Sequence, residues 1–479
     1  MYLGLDLGTS GLKGVIVDDA QRLLAEATAP LQVSRPHTGW SEQNPQDWID
    51  AAKAVLEALS AKADFKRMAG IGLSGQMHGA TLLDAADSVL RPCILWNDTR
   101  AAQEAAELDA DPRFRKITGN IVFAGFTAPK LAWAARHEPA TFSRVAKVLL
   151  PKDYLRLWLT GEHVAEMSDA AGTSWLNTEA RDWSDALLDA TGMTRANMPR
   201  LVEGSKVSGH LRASLADELG LPRNLPVAGG GGDNAATAIG MGVVRAGDAF
   251  VSLGTSGVLF AACDGYAPAP QTAVHTFAHA LPGRWHQMGV ILAATDALNW
   301  FARLAGQSAN ALTEALGSLQ APEDTCFLPY LGGERTPLND ATIRGAFVGL
   351  EHATDRDAVT RAVLEGVTFA LRDCRDALAA TGTELGSLIA SGGGARSAYW
   401  LEAIATALNT PVHVPQSGDF GAAFGAARLG LMAATGAGAE LVGKPPVERE
   451  IHPNPALSAA FDEGFARFKA AQAAIRGLT

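Results

Sequence analysis

A short motif rich in glycine and hydroxyl side chains occurs twice in this 479-residue chain. LDLGTSG occupies residues 5–11, and VSLGTSG occupies residues 251–257. Each copy joins two short apolar runs, a pattern that predicts a β-hairpin with the glycine motif at its turn. The chain is also too long for one compact core. We therefore predict two domains, residues 1–245 and 246–479, with one hairpin in each.

Strand and helix patterns alternate around both hairpins, which predicts an α/β architecture. LLAEATAPLQV is typical of an edge strand, residues 44–63 have helical spacing after an Asn-Pro start, and residues 68–76 read as a buried strand. The second half repeats this order with a long helix that includes RDAVTRAVLEG, a strand ending in SGGGARS, a further helix and the strand TPVHVP.

Composition and charge exclude several classes of function. The chain is 47% hydrophobic and 19% charged, which is typical of a globular protein, and its net charge of -11 argues against general binding to nucleic acid or anionic membranes. The four cysteines form no CxxC pair, so we expect buried, reduced thiols. No secretory leader and no 18-residue apolar run is present, which predicts a soluble, cytoplasmic protein.

Both GTSG turns are suited to phosphate. Glycine lets backbone N–H groups approach an anion closely, and the hydroxyls add donors, although an ordinary hairpin turn explains one isolated copy equally well. The chain has no GxxxxGK[ST] loop and no GxGxxG loop that opens a helix. A third glycine loop, SGGGARS at 391–397, is predicted between a strand and a helix, where it could admit adenine or ribose.

Two aspartates are candidates for phosphoryl-transfer chemistry. Asp6 lies beside the first loop, where it could hold Mg²⁺ or stabilise the turn, and the second loop has Ser252 at that position. Asp233 follows four glycines, and it could serve as a general base or as the N-cap of the next helix. The residues alone leave both alternatives open.

Other loops contain candidates for contact with a sugar. Met77 and His78 follow a predicted central strand, at the end of the sheet where ligands of α/β proteins bind. Aromatic planes and paired polar groups in two further loops also suit a sugar, without an assigned role: Trp40, Trp96, Asp98 and Arg100.

Together these stretches resemble the FGGY family of carbohydrate kinases. The resemblance is collinear over nearly the whole chain and weakens after about residue 430. It is carried by YLGLDLGTSGLKG, SRPHTGWSEQNP, SGQMHGATLLD, LRPCILWNDTR, GFTAPKLAWAARHEP, VLLPKDYLRLWLTGE, MSDAAGT, GGGDNAA, SLGTSGV, FLPYLGGERTP, RAVLEGV and SGGGARSAYW.

The resemblance implies an actin-like, ribonuclease-H-like α/β fold of two domains with a cleft between them. The N-terminal domain would bind the sugar and the C-terminal domain the nucleotide, and a homodimer is compatible with the family. The implied reaction is ATP-dependent phosphorylation of D-xylulose to D-xylulose 5-phosphate. The alternatives are a kinase for another ketopentose such as ribulose, and a non-catalytic protein that responds to a sugar or nucleotide.

The resemblance also implies roles for single residues. Asp233 would be the proton acceptor and Asp6 the second catalytic residue, holding Mg²⁺, while Met77, His78, Asp233 and Asn234 would contact the sugar. The residues implied for ATP binding are Gly8, Thr9, Ser10, Lys13, Gly254, Thr255, Ser256, Gly393, Gly394 and Ala395.

Overall fold

The structure is a computed structural model that describes residues 1–416, 418 and 420–476. The chain forms two compact units. Unit 1 comprises Met1–Val244, Phe277–Trp285 and Asp419–Lys444, and unit 2 comprises Arg245–Thr276, His286–Gly418 and Pro445–Thr479.

Unit 1 is built on a mixed sheet that starts with the predicted hairpin. Strands Tyr2–Leu7 and Gly11–Val17 pair antiparallel, and Gly70–Gly75 pairs parallel to Tyr2–Leu7 on its other side. Gly231–Gly232 also pairs parallel to Gly70–Gly75. Across the sheet the order is Val207–His210, Pro226–Ala228, Gly70–Gly75, Tyr2–Leu7, Gly11–Val17 and Leu23–Pro30.

Unit 2 repeats this arrangement around the second hairpin. Asp248–Leu253 pairs antiparallel with Gly257–Cys263 and parallel with Ser387–Ser391. In both sheets, therefore, the glycine motif joins a central strand to an antiparallel neighbour. Across this sheet the order is His275–Ala278, Trp285–Ile291, Gly257–Cys263, Asp248–Leu253, Ser387–Ser391, Val412–Pro415 and Val447–Ile451.

Helices and short ladders complete both units. The Asn-Pro start predicted for the first helix is confirmed, because the Asn44 side chain accepts a hydrogen bond from Gln46 N and Pro45 is the first helical residue. The α-helices are Pro45–Ser60, Ala102–Asp109, Pro112–Thr118, Thr127–His137, Pro139–Phe142, Pro151–Thr160, Met167–Ala170, Asp185–Asp189, Ala213–Leu219, Asp233–Met241, Thr295–Ala305, Ala309–Glu314, Arg356–Ala379, Ala398–Leu408, Ala422–Thr435 and Ser458–Arg476. The paired short strands are Glu42–Gln43 with Cys93–Ile94, Thr81–Leu83 with Lys147–Leu149, Val164–Glu166 with Arg200–Val202, Leu176–Asn177 with Asp182–Trp183, and Cys326–Leu328 with Ala346–Val348.

A helix from late in the chain packs directly on the sheet of unit 1. Helix Ala422–Thr435 contacts the two central strands at positions that have no side chain. A Cβ added at Gly72 would lie 1.7 Å from Ala426 O, and one added at Gly4 would lie 2.0 Å from Ala423 O. The helix therefore approaches the strands at backbone distance, which only glycine on the strands allows.

This packing explains why unit 1 includes a segment from late in the chain. The division predicted from the sequence, 1–245 and 246–479, assigns every late segment to the second domain. The structure places Phe277–Trp285 and Asp419–Lys444 with unit 1. Hydrophobic periodicity indicates that a helix is buried, but it does not indicate which sheet covers it.

The four cysteines are buried and unpaired, as predicted. Within the described residues, no helix combines the length and the hydrophobicity needed to cross a membrane.

Gly72→Ala should destabilise unit 1 strongly, because its methyl group and Ala426 O would occupy the same space. We expect the free energy of unfolding to fall by about 3 kcal/mol or more. Gly443→Ala is the matched control, because a Cβ there meets open space, and it should change stability by less than about 1 kcal/mol. Urea unfolding followed by tryptophan fluorescence compares the two variants, and equal midpoints would contradict the proposed packing constraint.

Candidate functional site

Asp6 and Lys13 face each other across the first hairpin of unit 1. They are register partners on the two strands, one residue inside the pair Leu7–Leu12 that precedes the turn. Lys13 Nζ forms an ion pair with Glu26 on the edge strand, at 2.9 Å. The Asp6 side chain is half-buried. The hairpin thus has a carboxylate at the base of its turn and a lysine that is engaged across the sheet.

Thr9, in the first turn, is held by three side chains from different parts of unit 1. Its hydroxyl donates to Gln76 Oε1 at 3.0 Å and accepts from Trp96 Nε1 at 2.9 Å. Gln43 Nε2 donates to the Thr9 carbonyl at 2.7 Å. Gln43 and Gln76 are also bonded to each other and are both buried. This network fixes the turn and occupies the Thr9 hydroxyl, while Ser10 beside it is exposed.

The sequence assigned no role to four loop residues, and the structure separates Trp96 from the other three: Trp40, Asp98 and Arg100. Arg100 pairs with Asp98 at 2.6 Å and stacks its guanidinium on Trp40, 3.5 Å from the ring centroid. The Arg100 and Asp98 side chains are almost completely buried, so these three residues form a structural cluster. Trp96 differs, because 46% of it is exposed beside the first turn.

His78 has an unusual backbone conformation and a fixed ring. Its φ of 70° lies in the left-handed region, which is rare for a residue with a side chain. Nδ1 lies 2.7 Å from Gly172 O, and the ring stacks on Phe126 with centroids 4.4 Å apart. A carbonyl oxygen can only accept, so Nδ1 carries the proton. In the neutral ring Nε2 is then the acceptor.

The backbone of His78 is held by two side chains from helix Thr127–His137. Lys130 Nζ donates to His78 O at 2.8 Å and to Gly125 O at 2.7 Å, and the Thr127 hydroxyl donates to His78 O at 3.1 Å. Burial lowers the pKa of Lys130 to about 7. Both side chains stabilise the strained backbone at His78.

Met77 lies between two backbone segments, one at Gly172 and the other at Gly232. The side chain is buried, and a Cβ added at Gly232 would lie 2.9 Å from its Cγ. A Cβ added at Gly172 would lie 3.0 Å from Met77 Cε and 2.5 Å from His78 Cε1. The structure thus brings together the Met77–His78 pair, the short 3-10 helix Ala171–Thr173 and the residue before Asp233.

Asp233 is the first residue of helix Asp233–Met241, and Gly232 occupies the N-cap position. The N-cap alternative for Asp233 is therefore wrong. Its Oδ1 accepts from Asn234 N at 2.7 Å and from Asn234 Nδ2 at 3.0 Å. Oδ2 makes no hydrogen bond within the described part of the chain. Burial raises the pKa of Asp233, and the two bonds from Asn234 oppose this rise.

In unit 2 the second turn has different neighbours from the first. The carbonyls of Gly254 and Thr255 accept from the first N–H groups of helix Thr295–Ala305, and Thr295 Oγ1 also donates to Gly254 O at 2.7 Å. The Thr255 and Ser256 side chains are exposed. Where the first hairpin pairs Asp6 with Lys13, the second pairs Ser252 with Val258.

A cavity of about 480 Å³ lies beside this turn, within unit 2. Gly393 and Gly394 line it, as does Thr295, whereas Ala395 packs against the hydrophobic core of the unit. A Cβ added at Gly393 would meet open space, so the cavity reaches the bare backbone there. Arg396 and Ser397 of the predicted SGGGARS loop also line it, and the polar and aromatic lining residues outside that loop are Asn299, Asn310, Thr313, Glu314, Tyr399 and Trp400.

No roles for Lys130, Gly172 or Ser168 were predicted from the sequence either. They lie within GFTAPK and MSDAAGT, two of the stretches that carry the family resemblance. That signal marked the stretches without identifying their partners, because the hydrogen bonds to His78 and Gly232 join residues far apart in the chain.

Comparisons with known proteins agree with this fold. Residues 1–240 match the N-terminal domain of the FGGY family of carbohydrate kinases, and residues 249–434 match its C-terminal domain. The xylulose kinase of Escherichia coli (strain K12) is 47% identical over 466 residues, which is 96% of each chain.

Solved structures are also similar over the full chain. The crystal structure of a xyloylose kinase from Brucella ovis has a TM-score of 0.99 at 61% identity and covers 100% of both chains. That of xylulose kinase from Rhodospirillum rubrum has a TM-score of 0.93 at 32% identity and covers 100% of this chain and 99% of the other. The predicted two-domain, actin-like fold is confirmed. The chain belongs to the FGGY family of carbohydrate kinases.

Proposed function

We propose that this protein transfers the γ-phosphoryl group of ATP to D-xylulose, forming D-xylulose 5-phosphate and ADP. The observation that carries the proposal is the position of Asp233 at a helix N-terminus, with one carboxylate oxygen that makes no hydrogen bond to the described residues and with Met77, the neighbour of His78, packed beside Gly232. A methionine beside a histidine suits a neutral sugar, because the one offers an apolar surface and the other a polar ring nitrogen. The 47% identity to a xylulose kinase favours this ketose over ribulose.

Asp233 is the general base in this proposal. Its carboxylate takes the proton of the sugar C5 hydroxyl while that oxygen attacks the γ-phosphorus in line. The bond from the γ-phosphorus to the bridging oxygen breaks, ADP leaves, and Asp233 later releases its proton to water. His78 accepts a hydrogen bond from a sugar hydroxyl at Nε2, and Asn234 orients the carboxylate.

Unit 2 binds the nucleotide. The cavity beside Gly393 and Gly394 admits the nucleoside, and the exposed Thr255 and Ser256 hydroxyls donate to phosphate oxygens. In the first turn the backbone N–H groups and the exposed Ser10 serve the same purpose. The Thr9 hydroxyl is already engaged by Gln76 and Trp96, so it holds the turn in place rather than binding phosphate itself.

Mg²⁺ fits the residues present if phosphate supplies most of its ligands. The described residues contain no group of three or more histidine, cysteine, aspartate or glutamate side chains that could hold a metal ion. Mg²⁺ needs only one or two carboxylates when it binds with substrate phosphates, and Asp6 beside the first turn supplies one. When bound there, the ion would neutralise charge on the phosphate oxygens.

The direct test is ADP release with a panel of ketoses. We expect D-xylulose to exceed D-ribulose at least about 10-fold in kcat/KM, because the two differ in hydroxyl contacts. Phosphorus NMR of the product should locate the phosphate on C5. Preference for ribulose, or no sugar-dependent ADP release, would contradict the proposed substrate.

In the same assay, Asp233→Asn should lower kcat by about 10²- to 10⁴-fold with retained structure.

The acid limb of the pH–rate profile should report Asp233. Only the carboxylate form accepts a proton, so kcat/KM should fall as the pH decreases through a pKa that burial raises above the usual aspartate value. Asn234→Ala removes the Nδ2 donor that favours the charged form, so its acid limb should move to higher pH. Gly332→Val, an exposed position with open space, is the control. An acid limb that stays in place in Asn234→Ala would exclude this assignment.

Gly393→Val should separate nucleotide binding from sugar binding. The Cβ of the new side chain meets open space at the cavity. We expect the KM for ATP to rise at least about 10-fold, with the KM for xylulose changed less than about twofold. The same Gly332→Val control should leave both unchanged. Equal effects of the two valine variants would show that the nucleotide does not use this cavity.

A further inference from the structure

Five charged side chains lie together in the interior of unit 1, and all are 0% exposed. Lys152 Nζ is 2.6 Å from Asp153, 3.3 Å from Asp169 and 3.8 Å from Glu166, and Arg156 completes the group. We call this set the buried ionic cluster. Burying such charges is costly, and a hydrophobic core of similar volume is often at least as stable.

The buried ionic cluster is bonded to the segment that leads to Asp233. Arg156 donates to Ala228 O at 2.6 Å and to Gly229 O at 2.5 Å. These carbonyls begin the glycine run in front of Asp233. The guanidinium therefore fixes the start of this run, where glycine itself provides no side chain to do so.

The end of the glycine run is held by Ser168. The Ser168 hydroxyl accepts a hydrogen bond from Gly232 N at 3.0 Å. It donates its own proton to Glu166, whose carboxylate oxygens lie 2.8 and 2.9 Å away. Glu166 also accepts from the backbone N–H groups of Ser168 and Asp169. The carboxylate thus orients the hydroxyl so that its lone pair faces Gly232.

The short segment that contains Ser168 also contacts His78. Four residues after Ser168, the carbonyl of Gly172 accepts a hydrogen bond from Nδ1 of His78. Displacing the segment as a whole would disturb both His78 and Asp233. Removing only the Ser168 hydroxyl affects the Asp233 side and leaves the Gly172 bond in place.

We propose that Ser168 is a positioning residue for Asp233, acting through the N–H group of Gly232 and itself held by Glu166 of the buried ionic cluster. Gly232 is the N-cap of the helix that begins with Asp233, so this hydrogen bond sets the direction in which the carboxylate leaves the helix. The role rests on the proposed function of Asp233 as general base. Small displacements of a reacting group are sufficient to lower a rate markedly.

Ser168→Ala should lower kcat for xylulose by about 10- to 100-fold. The KM for ATP should change less than about twofold, since the hydrogen bonds of the Ser168 side chain reach Glu166 and Gly232, neither of which is proposed to bind the nucleotide. The matched control is Thr178→Val, which removes a buried hydroxyl that donates to Thr118 O at 2.9 Å and lies outside the site described above. Thr178→Val should retain wild-type kcat.

Amide hydrogen exchange of the peptide that contains Gly232 provides a readout independent of activity. Ser168→Ala should accelerate exchange at this peptide, because Gly232 N–H loses its acceptor, and Thr178→Val should not. Unchanged exchange in Ser168→Ala would overturn the proposal, as would accelerated exchange with a kcat no lower than that of the control. A rise confined to the KM for xylulose would also overturn it. If wild-type protein proves inactive on xylulose, the substrate assignment fails, and the same comparison is made with the ketose that it does accept.

Discussion

The structure of unit 1 depends on one close contact between backbones. Helix Ala422–Thr435 rests on strands Tyr2–Leu7 and Gly70–Gly75, where glycines leave no side chain between helix and strand. Those strands end at the first turn and at the loop that contains Met77 and His78. The same helix packs at backbone distance on Asp233–Met241 through Gly425. One helix therefore fixes the first turn, the loop that contains Met77 and His78, and the helix that begins with Asp233.

The two glycine turns show how one motif acquires two environments. In unit 1 the side chains of Gln43, Gln76 and Trp96 form hydrogen bonds with Thr9 and hold the turn in place. In unit 2 the corresponding carbonyls receive the first N–H groups of a helix, and the hydroxyls remain exposed. The two copies of the hairpin thus share a strand pairing, while the residues around each copy determine which polar groups are available to a ligand.

Local patterns were sufficient to predict much of the fold. Alternating apolar residues identified both hairpins, and the Asn-Pro start identified a helix whose cap the structure confirms. The role of Asp233 could not be decided in this way, because an N-cap and an N1 residue differ by one position and only the backbone angles of Gly232 distinguish them. The hydrogen bonds of Ser168, Lys130 and Gly172 could not be predicted from the sequence either. They join distant segments, and periodicity reports only which face of an element is buried.

The discontinuity of unit 1 has a consequence for how the chain is made. When a ribosome has synthesised residues 1–244, the central strands of this unit are complete, but their glycine-lined face still lacks its helix. That helix follows only after most of unit 2 has been synthesised. The sheet face of residues 1–244 therefore stays uncovered until helix Ala422–Thr435 has been synthesised. Folding of unit 1 thus depends on a segment that is translated after most of unit 2, so the two units cannot be completed in the order in which they begin.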